Sequence, residues 1–205
     1  MSAVLDMFPE TDVDRVREIT SIGAGHAATA LAAMIGCPCV MRVPQMRLLP
    51  PERIDDAPLA VDPSDGDGRP PVGIFFEIDG GFGGVVGLLF PASTCASLIE
   101  IMTGKAAEEN SPEIMTSVLR EAGNILVSHV ANAISETLGL AVLPSVPVLA
   151  MEDAVSALGS LLATREREGP ALRLETEIAD RDRGVRAVLV FVPDQLSRVA
   201  PAPGF

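Results

Sequence analysis

Ser117-Val118-Leu119-Arg120-Glu121-Ala122-Gly123-Asn124-Ile125-Leu126 lies early in an apolar-periodic run over residues 112–138. Ser117, Glu121 and Asn124 are spaced four and then three apart. On an α-helix they share one stripe, which continues through Ser128. The opposite side carries Ile114, Val118, Ile125, Leu126, Val130 and Ala133. The spacing predicts a mostly buried helix with a thin polar ridge, on which a carboxylate stands beside a carboxamide.

The chain carries this pattern twice. Glu18, Ser21, His26 and Pro44 precede Glu121, Asn124, His129 and Pro147 by 103 residues in every case, and Arg17 with Arg120 and Gly36 with Gly139 fall on the same register. A period this long is no solenoid repeat. It predicts one domain over residues 1–205, built of two halves at about 10–104 and 112–200 and related by a pseudo-twofold.

Each half is expected to run helix, strand, connection, strand, strand. The first long helix begins near Val13, capped by Thr11 or Asp12, and Gly36 ends it. The second ends at Gly139. Strands are expected at 39–48 and 141–149, and hairpins at 72–78 with 84–90 and at 171–178 with 185–192. Pro91 opens a helix that reaches Gly104, residues 105–111 link the halves, and a short amphipathic helix covers 152–163. Residues 1–9 are expected to be a loose lead-in, 62–68 an exposed loop and 201–204 a frayed end. The fold class is α+β, with the two long helices side by side on a mostly antiparallel six-stranded sheet.

Composition narrows the function. Apolar residues make up 48% of the chain, with no Trp and no Tyr, so the core is largely aliphatic. A net charge of −13 argues against nucleic acid as a partner, since phosphate neutralisation needs clustered cations. Lys105 is the only lysine. Cys37 and Cys39 flank one proline with no second pair or histidine nearby, so no metal site is expected; they suit small buried side chains in a reduced compartment. No signal peptide is visible and no run approaches a membrane span, which sets the expectation of a cytoplasmic, soluble protein without a membrane span. Gly23, Gly25 and Ala28 match a dinucleotide fingerprint by letter, but they sit inside a helical pattern with no strand before them. Their small size is expected to let two helices approach closely.

A carboxamide offers one acceptor and two donors, and can hold a water molecule in a fixed orientation. An ionised carboxylate only accepts, and anchors a partner's ammonium group. Together Glu121 and Asn124 can complete another protein's hydrolytic site, because phosphoryl transfer needs positioning and electrostatic support more than covalent chemistry. Ala122 and Gly123 between them are small enough to admit a partner's backbone. His26 and His129 have no evident partners, so no Ser–His–Asp set is implied. The plain alternative is an ordinary helix surface, with Glu121 paired to a neighbour such as Arg120.

Ser117-x3-Glu121-x2-Asn124-x22-Pro147 resembles the signature of the CheC-type chemotaxis phosphatases, a family that includes CheX and the phosphatase part of FliY. The first copy, Asp14-x3-Glu18-x2-Ser21-x22-Pro44, keeps the spacing, and Ile22-Gly23-Ala24-Gly25-His26-Ala27-Ala28 also looks like the family's first helix. The resemblance spans nearly the whole chain. It implies a phosphatase that removes the phosphoryl group from the aspartyl phosphate of a CheY-like response regulator. Asn124 would orient the attacking water and Glu121 would contact a lysine of the regulator. Ser117 and Pro147 would shape the site, as Asp14 and Pro44 would in the first copy. The chain itself would bind no cofactor; Mg2+ would come with the regulator. The first copy departs from the family pattern at Ser21, where an Asn is expected, so Glu18 and Ser21 mark a degenerate second site. Two motif copies set the chain apart from CheX-type proteins and nearest to two-motif CheC, and it is expected to lack the flagellar-switch domain of FliY-type chains. The resemblance also leaves open a non-catalytic adaptor that binds a CheD-type deamidase or a response regulator, with the 152–163 helix as a candidate partner surface.

Overall fold

The structure is a computed structural model that describes residues 10–50, 59, 62–63, 68–81, 83–165, 170–180 and 182–194. The expected lead-in, the centre of the 62–68 loop and the C-terminal end lie outside these residues. In chain order the helices are α1 (Glu10–Ile35), α2 (Ala92–Thr103), α3 (Pro112–Leu138) and α4 (Ala154–Ala163), with a 3-10 turn at Ala107–Glu109. The strands are β1 (Cys39–Met41), β2 (Gln45–Leu49), β3 (Val72–Gly80), β4 (Gly84–Phe90), β5 (Val142–Pro144), β6 (Val148–Ala150), β7 (Ala171–Asp180) and β8 (Arg186–Pro193).

The strands form one antiparallel sheet in the order β1-β7-β8-β4-β3-β5, with β2 also on β7 and β6 also on β3. The two hairpins meet at the centre, where Val86 faces Phe191 and Leu88 faces Leu189. The pseudo-twofold is visible in the edges: the short strands of each half pair with the long hairpin of the other. Six sheet-forming stretches were expected, and eight strands are found because two stretches are interrupted. Proline has no N–H to give to a ladder, and Pro44 and Pro147 stand at the breaks between β1 and β2 and between β5 and β6. At the second break the Ser145 amide donates to the Glu77 carbonyl at 2.9 Å, and the Ser145 hydroxyl accepts from the Glu77 amide at 3.0 Å. At the equivalent place in the first half, the Arg42 amide donates to the Glu177 carbonyl.

Both faces of the sheet are covered. Ile74, Phe76, Val86, Leu88, Leu174, Leu189 and Phe191 point toward α1, α2 and α3, while Phe75, Val85, Leu89, Val188 and Val190 pack under α4. Burial on both sides explains why β4 is apolar throughout rather than alternating. The helix α4 starts at Ala154, where the Asp153 carboxylate accepts from the Ser156 amide at 3.0 Å. Its apolar stripe, Ala154, Leu158 and Leu162, is spent on the sheet, and Ser156, Ser160 and Ala163 are what it turns outward.

The long helices lie side by side and run antiparallel, since Gly23 meets Val130 while Thr11 and Thr137 share one surface groove. A Cβ on Gly23 would sit 3.1 Å from Val130 Cγ1. Gly23 therefore serves helix packing, as expected, whereas Gly25 faces Met41 of β1, whose Sδ a Cβ there would meet at 3.9 Å. α1 begins at Glu10, so neither Thr11 nor Asp12 caps it. Both long helices stop at glycines in the left-handed region, Gly36 at φ 67 and Gly139 at φ 66, a conformation that costs other residues a Cβ clash.

Candidate functional site

Two open grooves flank the long helices, one for each copy of the motif. The larger, about 560 Å³, is lined by Pro112, Glu113, Thr116, Ser117, Arg120, Glu121 and Asn124. These positions are one helical stripe over the first three turns of α3. The stripe starts at a well-made N-terminus: Ser111 is the N-cap, its hydroxyl accepts from the Ile114 amide at 3.4 Å, and Pro112 takes the first helical position. The Ser111 hydroxyl also holds the Glu113 carboxyl below its ordinary pKa, so the groove rim stays anionic.

Ser117 and Glu121 are exposed, and Asn124 is half-buried. Neither the Glu121 carboxylate nor the Asn124 carboxamide has a hydrogen-bond or ion-pair partner among the described residues. The pairing of Glu121 with Arg120, the plain alternative, is not among the ion pairs of the described residues. Adjacent residues on a helix diverge by about 100°, which leaves both side chains free toward the groove. The buried side of α3 is Leu119, Ala122, Gly123, Leu126, Val127 and Val130. Ile114, expected to be inward, is 47% exposed in the first turn. Ala122 and Gly123 are buried rather than open to a partner: a Cβ on Gly123 would stand 2.8 Å from Ile74 Cγ2. Their small size seats α3 on β3 and so fixes the height of the groove above the sheet.

The first copy is arranged differently. Its groove, about 490 Å³, is lined by Thr11, Asp14, Arg15, Glu18 and Thr137, and Ser21 is not among them. The Ser21 hydroxyl turns back and donates to the Arg17 carbonyl at 2.9 Å. Asp14 is held by Arg17 at 3.1 Å. Glu18 is exposed as Glu121 is, but no carboxamide accompanies it. Pro44 and Pro147 line neither groove; they act where the edge strands break. Among the described residues no cluster of three or more His, Cys, Asp or Glu side chains is placed to hold a metal ion, and no helix is long and apolar enough to cross a membrane. His26 and His129 are both exposed.

Glu113 and Thr116 belong to the groove without having been singled out from the sequence, and Arg120, which the sequence marks only as the repeat counterpart of Arg17 and a possible pair for Glu121, lines it with them. Helical spacing alone could have found them, since residues 113, 116, 117, 120, 121 and 124 share one face.

Residues 114–151 match the CheC-like family, a segment that takes in Glu121, Asn124 and Pro147. The chain is 25% identical to the CheY-P phosphatase CheC of Bacillus subtilis over 199 residues, which is 94% of this chain and 92% of that protein. Its fold is similar to that of Thermotoga maritima FliY, with a TM-score of 0.68 and 21% identity over 94% of this chain and 96% of that one. It is also similar to CheX in the CheX–CheY–BeF3–Mg2+ complex from Borrelia burgdorferi, with a TM-score of 0.56 and 13% identity over 84% of this chain and 96% of that one. A family segment on the helix that bears the site, a relative named CheC matched along almost the whole chain, and a fold similar to those of FliY and CheX are what this chain shares with CheC-like proteins.

Proposed function

We propose that this chain is a phosphatase for the aspartyl phosphate of a CheY-like response regulator and works through the groove on α3. The observation that carries this reading is the pair Glu121 and Asn124, one turn apart, unpartnered and open to one groove. Polar groups without internal partners on an otherwise well-bonded helix are ready to bond to something else. The Asn124 amide accepts from or donates to a water molecule and aims it at phosphorus along the line opposite the leaving carboxylate. The Glu121 carboxylate takes the ammonium of a lysine on the regulator and fixes the register of the two proteins. The regulator contributes the phosphoaspartate and the Mg2+ that neutralises charge on the phosphoryl oxygens. No group on this chain needs to become covalently attached.

The first groove fits the same reading as a degenerate copy. Ser21 is shorter than Asn, lacks the planar amide, and spends its proton on the Arg17 carbonyl. The relative CheC carries the CheY-P phosphatase activity in its name, and the CheX fold neighbour forms a complex with CheY; both support a receiver as partner. The alternative, an adaptor for a CheD-type deamidase or for a receiver, has no feature of its own to favour it, because the candidate surface on α4 gives its apolar stripe to the sheet.

The test is phosphate release from a phosphorylated CheY-like receiver with Mg2+. Wild type should accelerate decay. Asn124→Ala should remove about 10²–10³-fold of that acceleration, the usual cost of deleting one positioned amide. Asn124→Asp, which keeps the shape but loses the N–H donors, should fall by a similar factor. Binding of the receiver without faster decay would overturn the phosphatase reading and leave an adaptor.

A further inference from the structure

The two copies of the motif differ in a second way, at the arginine that precedes each glutamate. Arg17 and Arg120 occupy the same repeat position. Arg17 is held by Asp14, three residues earlier, at 3.1 Å. The residue equivalent to Asp14 is Ser117, which carries no charge, and Arg120 has no ion-pair or hydrogen-bond partner among the described residues. Arg120 is exposed and lines the α3 groove one turn before Asn124. Glu113 and Glu121 line the same groove, so Arg120 is its one cation among seven lining residues. The first groove has its own cation in Arg15, but at the position that carries Val118 in the second copy, off the stripe that runs through Ser21.

The electrostatic setting gives this single charge weight. The chain carries a net charge of −13, and the partner in the proposed reaction presents an acyl phosphate dianion. Two anionic surfaces repel during encounter, and the repulsion is relieved only where a cation faces the anion. An unpaired guanidinium beside the carboxamide supplies that contact, and its planar fork suits oxygen anions.

We propose that Arg120 is a specificity-determining residue, whose guanidinium receives the anionic rim of the phosphorylated receiver and sets the KM for that protein substrate. The inference rests on the phosphatase reading of the same groove. Arg120 touches no reacting atom, so it acts on encounter and docking and leaves the water-orienting step to Asn124. Arg120 and Glu121 together form a cation and anion in fixed order, complementary to a carboxylate of that anionic rim and a lysine on the partner. The ion pair with Asp14 denies the first copy the same device at its own arginine.

The experiment measures KM and kcat for the phosphorylated receiver at low and high ionic strength, using wild type, Arg120→Gln, Arg120→Lys, Ser117→Asp and Arg183→Gln. Arg183 lies in the β7–β8 turn and serves as the control for net charge. The expected result is a KM raised about tenfold in Arg120→Gln at low salt, with kcat within about twofold of wild type. The difference should shrink to about twofold when the Debye length falls below the reach of the contact. Arg120→Lys should recover most of the loss. Ser117→Asp, which builds into the second copy the pair that Asp14 makes with Arg17, should raise KM as Arg120→Gln does. Arg183→Gln should leave KM alone. An unchanged KM in Arg120→Gln, an increase equal at both salts, or an equal effect of Arg183→Gln would overturn the proposal. Those results can appear while Asn124→Ala still abolishes activity, in which case the phosphatase reading stands and only the role of Arg120 falls. If wild type does not accelerate decay, the reading fails and this inference falls with it.

Discussion

Gly123→Ala adds one methyl group where α3 rests on β3, between the two residues of the proposed site. The new Cβ would lie 2.8 Å from Ile74 Cγ2 and 3.1 Å from Ile74 Cδ1. Carbon atoms in good contact stand about 3.5–4.0 Å apart, so the helix and the strand must part by roughly 0.7 Å or more. Ile74 is 0% exposed, sits on a long strand and is stiff at χ1, so it has little room to give. Forcing a methylene into such a core costs about 1–3 kcal/mol. Ala is a better helix former than Gly by about 1 kcal/mol, which offsets part of that cost. The net expectation is a loss of about 0–2 kcal/mol in urea unfolding, together with a larger loss of activity. Asn124 and Glu121 ride on the displaced turn, and a shift approaching 1 Å in a positioning group can cost about 10²-fold in rate. The combination with Ile74→Ala isolates the contact: the two substitutions should couple favourably by about 1 kcal/mol or more, because the second removes the atoms that the first collides with. A Gly123→Ala protein that is more stable by the full propensity gain and keeps wild-type kcat would refute the claim that this glycine sets the height of the groove.

Two further expectations concern the rest of the molecule. Arg165, just past α4, makes a bidentate pair with Asp194 at 2.8 and 2.6 Å, reaches the Ile78 carbonyl at 3.3 Å, and has Asp79 and Glu77 at 3.6 and 3.7 Å. Arg165→Met should cost about 1–3 kcal/mol in a urea melt by leaving three carboxylates facing one another, and Asp194→Asn should recover part of that loss in the double variant; additive effects would show that the pair contributes nothing. Burial, helped by Asp180 and Cys37, pushes the Cys39 thiol up from 9.0 to about 11. At pH 9 the folded protein should therefore hold about a hundredth of its Cys39 as thiolate, and alkylation by iodoacetamide should rise with an inflection near 11 rather than 9. The fold keeps this proton between pH 9 and 11 where the unfolded chain loses it, so stability contributed by Cys39 declines as pH rises through that window. A thiol that alkylates at the rate of free cysteine at pH 8 would contradict this.

The resemblance and the repeat made much of the fold legible in advance. The constant register pairs the two long helices and their terminal glycines, and the repeated order of elements pairs the two hairpins, because each half obeys the same local rules. Gly36 and Gly139 stop helices for reasons contained in one residue. Pro44 and Pro147 were visible as repeated letters, but their effect, splitting each edge stretch into two short strands, depends on where the ladder needs an N–H. The polar ridge of α3 is legible in the sequence because helical spacing alone puts residues 117, 121, 124 and 128 on one face. The structure differs from that reading at Ile114, which is exposed, and at Gly123, which is buried. An apolar letter says that a side chain tolerates burial, and a small letter says that something comes close; neither says what.

The sequence by itself determined the two-half plan, the stripe that joins Ser117, Glu121 and Asn124, and the loss of the carboxamide at Ser21. All three follow from chain-local spacing and residue chemistry. Tertiary structure decided which half's hairpin each edge strand joins, that the sheet is covered on both faces, that Gly123 faces Ile74 rather than a partner, and that Arg17 is paired while Arg120 has no partner among the described residues. These depend on which surfaces meet in space and which rotamers the neighbouring groups allow, and no spacing along the chain carries that information.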